Sequence, residues 1–160
     1  MADTEIHIIE GLRKRSPKMQ QKTLELYGNL VWAQVVRLVT AVQDAEEVDQ
    51  DVFVKVFSNI GMFDAEKSSL KTWISRIAYN ESISFLRRKR QKVIYFEDHE
   101  GKAEKLSEEE VNATLGKPDE ETVQLIQTAI HHLPPDEQAL ITMFYYDELS
   151  LKEIADITES

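Results

Sequence analysis

Leu70-Lys-Thr-Trp-Ile-Ser-Arg-Ile-Ala-Tyr-Asn-Glu-Ser-Ile-Ser-Phe-Leu-Arg-Arg-Lys-Arg-Gln-Lys92 decides how this chain is read. Leu70, Trp73, Ile74, Ile77 and Ala78 recur at three- and four-residue steps, the period of a helix with one apolar face. Trp73 belongs to that face and reads as core rather than as a base-stacking platform. Arg76, Asn80, Ser84 and Arg87 follow one another at steps of four, four and three, a polar stripe beside the apolar one. The helix then turns basic. Arg87, Arg88, Lys89, Arg90 and Lys92 fall within about one and a half turns, with no carboxylate among them. In a 160-residue chain of formal net charge −10, that concentration points to a dedicated anion site. A polyanion such as DNA gains from it by counterion release. Arg and Asn are also the side chains that pair with guanine and adenine edges or contact phosphates. A polar stripe by itself is more often a solvated face, and it is the cations at its end that shift the reading toward nucleic acid.

The rest of the composition narrows the class. Apolar residues make up 42% and charged residues 30%, an ordinary soluble balance with room for one domain or two small ones. Five glycines, four prolines and little period-two alternation favour an all-α fold. The absence of cysteine excludes disulfides and thiolate metal sites and fits a reducing compartment. The N-terminus lacks the basic and apolar regions of a signal peptide, and the apolar run Leu30 to Val42 is too short to span a bilayer. A cytoplasmic protein is expected.

Working outward from the central helix, Ile6, Ile9 and Leu12 predict a short first helix ending near Arg15. Ser16-Pro17 reads as the cap and first residue of a second, whose stripe of Leu24, Tyr27, Val31, Val35 and Leu38 runs to about Val42. Asp44 and Glu47 predict a capping-box start for a third helix, with Gly61 as its left-handed end. Ser68 or Ser69 caps the helix quoted above. From Glu97 to Glu121 ten carboxylates face only Lys102, Lys105 and Lys117, which predicts a mobile acidic linker with a partly helical patch at 107–111. Val123, Ile126, Ile130 and Leu133 predict a further helix, broken by Pro134-Pro135. Asp136 starts the next, carrying Leu140, Ile141 and Phe144. Ser150 and Glu153 form a second capping box ahead of Ile154 and Ile157. The expected organisation is a helical unit over 1–92, an acidic linker over 93–120 and a small helical unit over 121–160.

Two further motifs bear on function. Glu47, Gln50 and Asp51 lie at i, i+3 and i+4 on the third helix and share one face. Alone, that is a solvated acidic face; functionally, it would dock a basic partner element. Leu149-Ser-Leu-Lys-Glu-Ile-Ala155 has the form of the first helix of a helix-turn-helix, with Ala155 small enough for a close crossing. Catalytic and metal signals are poor. His7, His99, His131 and His132 lack ligand spacing, and there is neither a phosphate-cradling glycine loop nor a nucleophile elbow. No cofactor, metal or enzymatic activity is expected.

Taken in order, these segments resemble bacterial RNA polymerase sigma factors of the extracytoplasmic-function branch. Ala45-Glu-Glu-Val-Asp-Gln-Asp-Val-Phe53 is similar to the family's core-binding helix. Phe63-Asp64, Trp73 to Asn80 and Leu86-Arg-Arg resemble the segment that reads the promoter −10 element. Leu133-Pro-Pro-Asp-Glu-Gln138 with Leu149 to Ala155 resembles the start of the −35-binding domain. The resemblance implies that Glu47, Gln50 and Asp51 engage core RNA polymerase. It places Arg76, Asn80 and Ser84 toward −10 promoter DNA, and makes the Phe63–Ser68 loop, with Phe63 and Asp64, the holder of a flipped base. Arg87, Arg88, Arg90 and Lys92 would grip the phosphate backbone, and an anti-sigma factor is the expected inhibitor. The family usually carries Asp where Ser84 stands. The recognition helix that should follow Ser160 is absent from the sequence, so −35 reading is not expected of these residues, and the apolar surface around Ile141, Phe144, Ile154 and Ile157 should be exposed. The rival readings are a helical protein-interaction module, which has no need of the basic cluster, and a repressor that binds duplex DNA without polymerase.

Overall fold

Helix by helix, the apolar periodicity is realised, but its ends move where tertiary packing overrides it. The computed structural model describes the backbone of residues 2–100 and 120–158 and the side chains of 4–90 and 120–158. Helix α1 (Ala2–Arg13) buries Ile8, Ile9 and Leu12. Arg15, in the left-handed region at φ 57°, closes it. The Ser16 N–H donates to Gly11 O at 2.9 Å and the Arg15 N–H to Leu12 O at 3.0 Å, which satisfies carbonyls the helix would leave unpaired. Gly11 is required there, because a Cβ at this position would collide with Met19 Cγ of the following helix.

Helix α2 (Pro17–Leu38) starts as the sequence predicts, with the Ser16 side chain accepting from the Met19 N–H at 3.4 Å. It ends four residues earlier than its stripe implies. Val39 adopts an extended conformation and tucks its side chain into the core, while Val42 is exposed and opens helix α3 (Val42–Ser58). No side chain caps α3. Asp44 lies instead in its first turn, where a carboxylate favours the helix dipole. Asn59, not Gly61, ends α3, and Gly61 sits in the 3-10 turn Ile60–Met62. Helix α4 (Leu70–Glu100) is capped by Ser69, whose Oγ accepts from the Thr72 N–H at 3.1 Å. It continues past Lys92 into the first residues of the expected acidic linker. The remainder of that linker, including the patch at 107–111, and the side chain of Lys92 lie outside the described residues.

After this come α5 (Glu120–His131), α6 (Pro135–Ile141), a π-helical turn (Thr142–Tyr146) and α7 (Leu151–Thr158). Gln138 holds the diproline turn between α5 and α6: its Nε2 donates to His131 O at 3.2 Å and to Leu133 O at 2.8 Å. The second capping box forms as predicted, with the Glu153 N–H on Ser150 Oγ at 3.1 Å and the Ser150 N–H on Glu153 Oε1 at 3.3 Å.

α2, α3 and α4 pack against one another, and α1 lies across α2. A buried hydrogen bond from Gln34 Nε2 to Ser75 Oγ, 3.0 Å, keys α2 to α4. α6 and α7 also pack against α4, so Ala139, Met143, Ile154 and Ile157 share one apolar core with the N-terminal helices. This corrects one expectation. Ile154 and Ile157 are buried because α4 supplies the apolar partner that their stripe requires; Ile141 is half-buried, and Phe144 alone of the four is left at 47% exposure.

Candidate nucleic-acid interface

Helix α4 presents its two stripes as the spacing requires. Leu70, Ile74 and Ala78 are buried, whereas Arg76, Asn80 and Ser84 are half-buried at the edge of the packed face. Arg87, Arg88, Lys89 and Arg90 are exposed. From Arg76 to Arg90 the helix advances about 21 Å, the axial length of about six nucleotides of one strand. One helix thus carries hydrogen-bonding groups first and cations second along that length. Lys55 of α3 donates to Glu81 beside Asn80 at 2.9 Å, bracing the polar stripe from the neighbouring helix.

Arg87 is already engaged. Its guanidinium contacts both carboxylate oxygens of Asp136 on α6, at 2.5 and 2.7 Å. Arg88, Lys89 and Arg90 have no ion-pair partner among the described residues. A second ion pair joins Arg37 of α2 to Asp147, which follows the π turn, and the Arg37 guanidinium also lies 5.4 Å from the centre of the Tyr146 ring. Burial pushes the Asp147 carboxyl up to about 6. Arg37 would draw it down, but that side chain is 33% exposed against 10% for Asp147, so solvent screens its attraction and burial prevails.

The loop before α4 is a tight turn. Asp64 Oδ1 accepts from the Glu66 N–H at 2.9 Å, and Asp64 O accepts from the N–H groups of Lys67 and Ser68 at 3.1 and 3.3 Å. Asp64 to Lys67 are exposed. Phe63 is not presented with them. At 3% exposure its ring packs on Trp73, centroids 5.4 Å apart, and anchors the loop from beneath.

On α3, Glu47, Gln50 and Asp51 are all exposed on the face opposite Val48, Val52 and Val56. Asp49, within the same motif, turns inward: one carboxylate oxygen is buried without a partner, and burial raises its pKa. The acidic face and the basic end of α4 are therefore separate surfaces on helices that pack together. Sequence reasoning missed Arg37, Asp136 and Asp147 as partners across the fold, as well as Glu5 and Arg13 of α1, which reach the loop. No local pattern marks any of them. Among the described residues no group of His, Cys, Asp and Glu is placed to hold a metal ion, and no helix is long and apolar enough to cross a membrane.

Comparison with known proteins agrees with this layout. Sigma-70 region 2 matches residues 23–92, which run from α2 into the basic part of α4, and Sigma-70, region 4 matches residues 123–159. The ECF RNA polymerase sigma factor SigW of Bacillus subtilis is 30% identical over 156 residues, covering 93% of this chain and 82% of the relative. The RNA polymerase sigma-H factor of Pseudomonas aeruginosa is 31% identical over 160 residues, 95% of this chain and 81% of its own length. The ECF RNA polymerase sigma factor RpoE of Cereibacter sphaeroides is 33% identical over 116 residues, 69% of this chain and 58% of the relative. The chain belongs to the extracytoplasmic-function family of RNA polymerase sigma factors. It is a transcription initiation factor that directs RNA polymerase to promoters.

Proposed function

We propose that this factor binds core RNA polymerase through Glu47, Gln50 and Asp51 and opens promoter DNA at the −10 element with α4 and the loop before it. The observation that carries this reading is the pairing of two oppositely charged surfaces on α3 and α4, both fixed by one apolar core. One body thereby meets two unlike partners: a basic polymerase element on the acidic face and a nucleic-acid strand on the polar and basic stripe. Arg76, Asn80 and Ser84 face the bases, Arg88, Arg90 and Lys92 hold phosphates, and Arg87 joins them once Asp136 releases it. Asp64 shapes the turn that takes a flipped base, and the buried Phe63 supports that turn. Extruding a base costs a few kcal/mol of stacking, which interactions in the pocket must offset.

The protein itself performs no chemistry in this reading; polymerase carries out phosphoryl transfer. Residues 1–92 act as the polymerase and −10 unit, 93–120 as an acidic linker and 121–160 as part of a −35-binding unit. The factor works in the cytoplasm and is held inactive by an anti-sigma factor. Size-exclusion chromatography with core polymerase at moderate salt tests the docking assignment. The wild-type chain should co-migrate, and the doubly reversed variant Glu47→Lys, Asp51→Lys should not, while keeping its helical circular dichroism. Undiminished co-migration of that variant rejects the acidic face as the docking surface.

A further inference from the structure

Helix α1 lies before the residues matched to region 2, yet it touches both ends of the loop that leads into α4. The Arg13 guanidinium donates to Phe63 O at 3.2 Å, where the chain leaves the 3-10 turn. Glu5 Oε1 accepts from the Leu70 N–H at 2.6 Å, at the first residue of α4. That N–H has no partner within its own helix, so Glu5 acts as a cap delivered from elsewhere in the fold, its charge aligned with the dipole of α4. The two ties sit eight residues apart on one helix, about 12 Å along its axis. α1 is itself fixed by the buried Ile8, Ile9 and Leu12.

Between those two ties the loop shapes only its own interior, through the Asp64 turn. Its exposed residues, Asp64 to Lys67, make no other hydrogen bond that the structure records to the body of the protein. The Phe63–Trp73 contact anchors the first residue of the loop on α4, and α1 adds the two ties that join both ends of the loop to one further helix. We infer that α1 is a splint for the promoter-opening loop, with Glu5 and Arg13 as positioning residues that hold its ends at the spacing needed to receive an extruded base. This rests on the reading of the Phe63–Ser68 loop as the base-capturing element. The ties act on strand capture, a step that follows docking, so polymerase binding and the occupancy of duplex promoters do not depend on them.

The test uses holoenzyme reconstituted from core polymerase and the full chain, with sheared genomic DNA of the source organism as probe. Footprinting gives occupancy, and permanganate reactivity of thymines, read by sequencing, gives melting. Glu5→Leu and Arg13→Ala should each lower the ratio of melted to occupied sites about tenfold, inside the roughly hundredfold that a misplacement of about 1 Å can cost. Glu5→Gln keeps an acceptor and Arg13→Lys keeps a donor, and both should restore most of the ratio. Rescue by these conservative variants, with occupancy unchanged, is a signature that a general loss of stability would not produce. Asp64→Ala, which removes the internal turn, should lower the same ratio. If Asp64→Ala lowers it and the α1 variants do not, the splint is overturned while the loop's role stands. If Asp64→Ala leaves it unchanged, the base-capture reading fails and the splint falls with it. Parallel loss of occupancy and melting without rescue would make α1 a folding element only, and would also overturn the inference.

Discussion

Ile157→Ala should release α7 from α4, whereas Asp136→Ala should leave it in place. Two kinds of interaction hold the C-terminal helices against α4, and their magnitudes differ. The Arg87–Asp136 pair is the more conspicuous, but its side chains are 57% and 60% exposed. Pairs so exposed are worth at most about 1 kcal/mol, so removing one shifts the open–closed equilibrium by about fivefold or less. Ile157 is 1% exposed on a helix that packs chiefly against α4. Truncating such a residue to Ala costs about 2–5 kcal/mol, a shift of roughly thirtyfold to several thousandfold toward the open form. The chain contains no cysteine, so Glu46→Cys on α3 and Lys152→Cys on α7 give a clean dye pair for energy transfer. Low transfer in the Ile157→Ala background and near wild-type transfer in the Asp136→Ala background are the expected results. Opening by Asp136→Ala, or of the wild-type chain by 0.5 M salt (roughly a 4 Å screening length), would refute the argument that apolar burial rather than charge holds the helices together.

Arg88→Ala with Arg90→Ala should weaken promoter binding by the holoenzyme and flatten its dependence on log salt by about two slope units, one for each phosphate left without its cation. An unchanged slope would remove these side chains from the interface. Asn80→Ala should impair promoter opening while core polymerase still co-migrates, and equal loss of both would reject its reading role. The pH dependence of closure follows from Asp147, whose carboxyl lies at about 6 in the packed form against an ordinary 3.8. The packed form binds the proton more tightly, so its contribution is fully present below about 3.8 and is lost as pH rises through about 6. Lowering the pH from 7.5 to 5 should therefore raise energy transfer in the opened Ile157→Ala pair and leave it nearly flat when Asp147→Asn is added to that background.

The helices themselves were legible because each buries a stripe, and a stripe of period 3.6 can be read from one strand of sequence. Ser16, Ser69 and the Ser150–Glu153 box were legible for a similar reason, since a cap bonds within three residues of itself. The candidate surfaces were legible as well: Glu47, Gln50 and Asp51 share a helix face, and Arg87 to Arg90 form an uninterrupted basic run. Where a residue had a better partner elsewhere, local pattern misled. Val39 leaves α2 to fill the core, and Phe63, placed by its motif beside an exposed turn, is drawn inward onto Trp73.

Sequence alone thus determined an all-α chain with one acidic and one basic helix surface, because periodicity, capping and charge runs are local properties. Tertiary structure decided which side chains those surfaces meet. Asp136 lies 49 residues from Arg87, Asp147 lies 110 from Arg37 and Glu5 lies 65 from Leu70, and no short-range pattern encodes pairings at such separations. It also placed α7 on α4. An amphipathic stripe specifies that a helix must bury one face, but not against which partner, and that choice falls to whichever apolar surface the rest of the fold leaves open.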